Sequence, residues 1–166
     1  MTRAAGTRAP ASDEASAAAE TPGCGDTGFG AYVVEAQAGF LLRRAHQRHA
    51  ALFQEMMGAR ALTPTQFTAL IKIVECGTVT QNRLGRLAAM DPATIQGVVR
   101  RLIARGLVQR DSDPGDRRTH VLRASPAGLE LARQAVACAT EITTATLAPL
   151  APEERPLFLS LLGKLI

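Results

Sequence analysis

Tryptophan is absent from this chain of 166 residues, tyrosine occurs once and phenylalanine five times, although 46% of the residues are hydrophobic. A core so poor in rings has to come from Ala, Leu, Val and Ile, which favours helices. No apolar run approaches the ~18 residues of a membrane span, so no membrane partner is expected. Cysteine is scarce and scattered: Cys24, Cys76 and Cys138 match neither a disulfide framework nor a zinc ligand set. No metal is expected, and a reducing cytoplasm is the simplest compartment. An apolar signal core is missing from the first residues, and Asp13, Glu14 and Glu20 argue against a transit peptide. Marks of catalysis are missing as well. There is no Gly-rich phosphate loop, no Gly-X-Ser-X-Gly and no paired carboxylates beside a His, so neither an enzyme nor a cofactor is expected.

What the chain does have is a basic excess, all of it arginine, in one place. The net charge is +4, but residues 80–123 alone hold nine Arg (83, 86, 100, 101, 105, 110, 117, 118 and 123) against four Asp (91, 111, 113 and 116). That segment carries an excess of five, while the remainder is close to neutral. Guanidinium groups fork onto phosphates and base edges, so a polyanion is the first partner suggested. A solvated basic face is the plain alternative.

Residues 1–28 are Ala, Ser, Thr, Gly and Pro with scattered charge, and they are expected to form a disordered tail. From Ala31 to about Met57 the spacing is helical, over roughly 40 Å. Val34, Ala38, Leu41, Ala45, Leu52 and Met56 form one stripe, beside Leu42, His46, His49 and Phe53. So wide an apolar cover needs more than one packing partner, and Gly58 is the expected stop. Thr63-Pro64 opens a second helix ending at Gly77, Thr80 caps a short third, and Asp91-Pro92 opens a fourth that closes at Gly106. Leu107–Arg110 and Arg118–Arg123 are expected as strands around a turn cluster. Ser125-Pro126 caps a long helix reaching Pro149, and a last helix starts near Pro152. Its Leu157, Phe158, Leu161, Leu162, Leu165 and Ile166 are too apolar to leave in water, and a second copy of the chain is the expected acceptor.

The fourth helix can be tested for two faces. Ile95, Val98, Val99, Leu102 and Ile103 fall within about 140° of arc, a core stripe. Opposite lie Ala93, Gln96, Gly97 and Arg100, flanked by Thr94 and Arg101. Small residues allow close backbone approach to DNA, and Gln and Arg can make bidentate base contacts in the major groove. Thr80, Gln81, Asn82 and Arg83, at the start of the third helix, suit phosphate contacts. Alone, such a helix is also what any amphipathic helix looks like.

Helix, short helix, turn, helix and basic hairpin is the winged helix-turn-helix order. The stretches Gly106-Leu107-Val108-Gln109-Arg110, Asp113-Pro114-Gly115-Asp116-Arg117-Arg118, Val121-Leu122-Arg123 and Ser125-Pro126-Ala127-Gly128 form a strand, a turn, a strand and a capped helix. On these residues the chain resembles the MarR family of bacterial transcription regulators, over everything after the tail. Ala124-Ser125 departs from the family's usual Leu-Thr but keeps the cap. The resemblance implies a mainly α subunit with a small β-hairpin wing, in an intertwined homodimer addressing a near-palindromic operator in double-stranded DNA. It implies residues 29–60 as a dimerisation helix, 61–124 as the winged DNA-binding domain and 125–166 as C-terminal dimerisation helices. It further implies that Asp116 braces the wing, Arg118 enters the minor groove and Arg117 meets a phosphate.

Many members of that family are repressors released by small aromatic acids, from a pocket between the first, second and fifth helices. Here that region offers Phe40, Arg43, His46, His49, Phe53 and Phe67. Two His at i and i+3 share a helix face, and three readings stay open: a metal, a carboxylate gripped together with an Arg, or polar packing with no ligand. The run Gly39–Phe53 is similar to regulators of nicotinate breakdown, which sense a hydroxylated nicotinate, so 6-hydroxynicotinate is the effector to test. One branch of the family senses oxidants through a cysteine. Cys24 stands as Gly-Cys-Gly with no flanking cation to lower its pKa, which leaves redox sensing as the alternative. A winged-helix module for protein contacts is the other rival, and salt dependence separates it from DNA binding.

Overall fold

The computed structural model describes residues 32–112, 115 and 119–166. The expected tail with Cys24, and Asp116, Arg117 and Arg118 of the wing, lie outside the described residues.

The first helix is shorter than its apolar pattern predicts. Val34–Ala36 form a single 3-10 turn, and α1 spans Ala38–Met57, about 30 Å. Gly58 is its C-cap, as expected, but the residue stays right-handed (φ −56°, ψ −39°) and leads into a second 3-10 turn, Gly58–Arg60. The chain turns instead at Ala61, left-handed at φ 51°. A distant guanidinium holds this corner, with Arg105 donating to the carbonyls of Ala61 at 2.6 Å and Arg60 at 3.2 Å.

The next helix, α2 (Pro64–Cys76), starts on a reciprocal cap. Gln66 N–H donates to Thr63 Oγ1 at 3.3 Å, and Thr63 N–H donates to Gln66 Oε1 at 3.2 Å. After Gly77 comes a strand the sequence pattern did not reveal, β1 (Val79–Thr80), because two residues are too few to show alternation. Thr80 then caps α3 (Gln81–Leu87), and the turn passes through Ala89, left-handed at φ 50°. Asp91 caps α4 (Pro92–Ala104), which ends before Gly106 at φ +69°.

The wing strands lie one or two residues later than expected, β2 at Val108–Ser112 and β3 at His120–Ala124. They pair antiparallel with Val108 opposite Ala124 and Ser112 opposite His120, while β1 pairs on the other edge of β3, Val79 opposite Leu122. The three-stranded order is β1-β3-β2. Ser125 joins wing to α5 (Pro126–Thr146): its hydroxyl donates to Gly106 O at 2.6 Å and accepts from Gly128 N–H at 3.0 Å. Gly128 is required by space, since a Cβ there would stand 2.0 Å from Leu107 O.

Buried Leu70 and Ile73 of α2, Leu84 of α3, Val98, Val99 and Leu102 of α4 and Leu122 of β3 form one core with Phe53 and Met57 of α1 and Ile142 of α5. No residue of the last helix, α6 (Glu154–Gly163), is fully buried within the chain: Leu157 is 60% exposed and Leu161 51%, while Leu162 is half-buried. Leu41 and Leu42 of α1 are exposed as well. No described helix is long and apolar enough to cross a membrane.

Candidate nucleic-acid interface and effector cavity

Helix α4 separates its faces as its sequence spacing predicts. Ile95, Val98, Val99 and Leu102 are buried and Ile103 partly so, while Ala93, Thr94, Gln96, Arg100 and Arg101 are exposed and Gly97 is half-covered. The space a Cβ would take at Gly97 lies 3.7 Å from the Arg101 guanidinium, so Arg101 folds back along its own helix over that glycine. At the N-terminus the Asp91 carboxylate accepts from the N–H groups of Ala93 (3.0 Å) and Thr94 (2.9 Å) and from the Thr94 hydroxyl (2.5 Å). The hydroxyl of Thr94 above all, then its N–H, holds the Asp91 carboxyl below the usual carboxylate range. The Thr94 hydroxyl hydrogen is thereby committed inside the protein, leaving only its lone pairs for a partner.

The other expected contacts lie around this helix. Asn82 and Arg83 are exposed on α3. Thr80 is half-buried because it caps α3, and Gln81 is tied to the wing by accepting from Arg110 at 3.3 Å. Two grooves flank α4. One, about 380 Å³, runs between Gln96, Arg100, Ile103 and Arg110, which brings a β2 arginine alongside the outward face of α4. The other, about 450 Å³, is bounded by Asn82, Gly85, Arg86 and Met90 toward α3 and Pro92 and Ile95 on α4. Arg86 and Arg110 were not singled out from the sequence, and the regional arginine excess was the signal that contained them.

The fold uses some of that excess. Arg123 pairs with Asp111 at 2.5 Å across the hairpin, and Arg105 is spent on the α1–α2 corner. Arg83, Arg86, Arg100 and Arg101 have no carboxylate partner among the described residues. Arg86 and Arg100 line the grooves beside α4 together with Arg110, which is held only by Gln81, and Arg83 and Arg101 stand exposed on α3 and α4, a surface suited to a polyanion.

A separate apolar cavity of about 390 Å³ lies between α1, α5 and α6. Leu42, Ala45, His46 and His49 line it from α1, Thr143, Thr146 and Leu147 from the end of α5, and Phe158, Leu159 and Leu162 from α6. It differs from the expected pocket in two ways. It is walled by α6 rather than α2, and of the six expected residues only His46 and His49 line it. Phe40 and Arg43 instead pack on each other, the guanidinium carbon 5.0 Å from the ring centroid. Phe53 is buried in the core and meets Phe67 edge-on at 5.9 Å, and His49 lies against Phe53 at 6.3 Å. Phe67 and Phe53 thus back the histidine from behind. The α6 residues were missed because their apolarity was assigned wholly to a second copy of the chain.

Neither arginine nor lysine lines the cavity, so any cation within its walls must come from His46 or His49. Among the described residues no group of three His, Cys, Asp or Glu could hold a metal. Of the two described cysteines, Cys138 is buried and donates to Met56 O at 3.3 Å, and Cys76 is half-buried.

Comparison with known proteins places this arrangement. The family model described as MarR family matches residues 62–120, from just before α2 to the start of β3. The transcriptional repressor NicR of Pseudomonas putida is 41% identical over 135 residues, covering 81% of this chain and 85% of that protein. A crystal structure of a probable transcriptional regulator from Pseudomonas aeruginosa is 48% identical at a TM-score of 0.78, covering 81% of this chain and all of that one. A structure of Bordetella bronchiseptica BpsR, whose description concerns regulation of its DNA binding by 6-hydroxynicotinic acid, is 38% identical at a TM-score of 0.77. It covers 82% of this chain and 97% of BpsR. Sequence likeness and backbone likeness each extend over about four-fifths of the chain, which belongs to the MarR family of transcription regulators.

Proposed function

We propose that this protein is a homodimeric, cytoplasmic transcriptional repressor that grips its operator through α4 and the wing and lets go when a small aromatic carboxylate fills the α1–α5–α6 cavity. The outward face of α4 carries the reading: Gln96 and Arg100 are exposed on one helix face, flanked by arginines that no carboxylate neutralises among the described residues. In the major groove Gln96 and Arg100 meet base edges, with Ala93, Thr94 and Gly97 allowing close approach and Arg101 beside them. Thr80, Gln81, Asn82 and Arg83 meet phosphates. Asp116, Arg117 and Arg118 supply the wing's contacts, with Arg118 in the minor groove. Residues 61–124 form the DNA-binding domain. Residues 29–60 and 125–166 form the dimer base, where the exposed leucines of α1 and α6 are covered by a second copy.

The effector assignment rests on NicR and BpsR as relatives, and on a cavity that is apolar apart from two histidines and two threonines. A ring fits among Leu42, Leu147, Phe158 and Leu162, and the carboxylate belongs with His46. Filling the space between α1, α5 and α6 changes how the dimer base supports the two reading heads, which is where release originates.

A mobility-shift titration with promoter fragments from the protein's own locus tests both halves. Binding is expected to weaken by orders of magnitude between about 50 and 200 mM salt. Gln96→Ala and Arg100→Ala are expected to alter sequence preference, whereas Arg83→Ala lowers affinity uniformly. Addition of 6-hydroxynicotinate is expected to free the DNA. No binding in dilute buffer refutes the regulator reading, and no release at millimolar ligand refutes the effector.

A further inference from the structure

One hydrogen bond at the cavity wall fixes which atoms of His49 a ligand can meet. His49 Nδ1 lies 3.0 Å from Thr146 Oγ1, which in turn donates to the carbonyl of Ile142 at 2.8 Å. A threonine hydroxyl has one hydrogen, and a carbonyl can only accept. With that hydrogen committed to Ile142, Oγ1 can meet Nδ1 only as acceptor, so Nδ1 must carry a proton. In the neutral ring Nε2 is then left with a lone pair and no proton. Nε2 has no hydrogen-bond partner among the described residues, nor is it a sealed-off buried polar atom. Phe53 behind the ring and Thr146 beside it hold the imidazole at the wall of the cavity that both His49 and Thr146 line.

We propose that His49, held by Thr146 as its Nδ1–H tautomer, is a specificity-determining residue that selects aromatic acids carrying a hydrogen-bond donor on the ring, a hydroxyl or a lactam N–H, over the same acids without one. The inference rests on the effector reading above and adds to it what the site distinguishes. With Nδ1 engaged, Nε2 is the ring nitrogen left for a ligand, and an acceptor beside an apolar hollow rewards a ligand that brings a proton and penalises one that brings a lone pair or a C–H. A hydroxylated pyridine carboxylate offers one donor in either of its tautomers, as O–H or as the neighbouring ring N–H. Nicotinate offers none: its ring nitrogen would set a lone pair against a lone pair. The carboxylate is then the business of His46, one turn away on the same helix face.

Isothermal titration of the full-length protein at one neutral pH, with 6-hydroxynicotinate and with nicotinate as probes, decides the matter. The parent is expected to favour the hydroxylated acid by about tenfold or more. Thr146→Val removes the acceptor that fixes Nδ1–H, and the preference is expected to fall to no more than a few-fold. Thr146→Ser keeps a hydroxyl and is expected to restore it. His49→Phe, which keeps a ring against Phe53, is expected to bind the two acids alike. An unchanged ratio in Thr146→Val overturns the proposal, as does an equal loss of both acids in His49→Phe, which would make His49 a carboxylate ligand instead. Should the parent bind both acids equally, selection fails while the cavity remains an effector site. Binding of neither acid refutes the effector reading itself, and this inference with it. Thermal melts of each variant check that the fold is retained.

Discussion

Replacing Gly128 by Ala pits two simple expectations against each other, and they differ in sign. Gly128 lies in the first turn of α5 and its backbone is helical, so helix propensity alone predicts that alanine stabilises by about 1 kcal/mol. Packing predicts the reverse. The new methyl would lie 2.0 Å from Leu107 O and 3.0 Å from Leu107 C, both backbone atoms with no side-chain freedom to yield. Relief requires a shift of more than about 1 Å between the start of α5 and the root of the wing, enough to forfeit well-made hydrogen bonds. Those at risk are Ser125 N–H to Leu107 O at 3.0 Å, Ser125 hydroxyl to Gly106 O at 2.6 Å and Gly128 N–H to Ser125 Oγ at 3.0 Å. Overpacking costs about 1–3 kcal/mol and each lost bond about 1 kcal/mol. With two of the three bonds lost and the propensity gain subtracted, a net loss of about 2–4 kcal/mol remains, or a Tm lower by about 5–15 °C for a chain of this size. Urea unfolding followed by circular dichroism measures it. A variant as stable as the parent, or more so, refutes the close-approach argument.

Three further outcomes are expected. Ala61 and Ala89 hold left-handed backbone that costs alanine about 1 kcal/mol, so Ala61→Gly and Ala89→Gly should each leave thermal stability unchanged or raise it by up to about 1 kcal/mol; a clear loss contradicts this. The folded-state pKa of Asp91 lies below its unfolded value, so its cap stabilises at neutral pH, weakens as pH falls below the ordinary carboxylate range and vanishes below the lowered value. Asp91→Ala should therefore melt below the parent at pH 7, with the gap closing in acid; a gap independent of pH refutes the capping role of the charge. Paired Leu157→Glu and Leu161→Glu, at positions more than half exposed within one chain, should shift the protein to monomer in sedimentation, since each buried leucine is worth about 1.5–3 kcal/mol. An unchanged dimer places the interface elsewhere.

The reading head was legible in the sequence because its elements are short and punctuated. Thr63-Pro64, Asp91-Pro92 and Ser125-Pro126 each announce a helix start through a cap and a pre-set φ, and all three open helices where expected. Periodicity likewise separated the two faces of α4. The failures have physical causes. Gly58 marked the end of α1 but not the sharp turn, which falls at Ala61, where Arg105 supplies donors from 44 residues away. Strand β1 exists only through its pairing with β3, a contact no local pattern encodes. The cavity was half legible: the two histidines at i and i+3 share the face of α1 that lines it. Which ring backs them and which helix forms the far wall are tertiary facts, and they placed Phe53 and Phe67 behind the wall and α6 in it.

The guanidinium of Arg105 has a mechanical consequence. It projects from the end of α4 and fastens two successive carbonyls at the corner just after α1. A planar fork seated on two oxygens resists twisting as well as stretching, so it behaves as a rigid strut rather than a tether. On the proposed function, a tilt of α1 would be passed through this fork to the foot of α4. A single side chain thus couples the corner after α1 to the helix proposed to address a duplex.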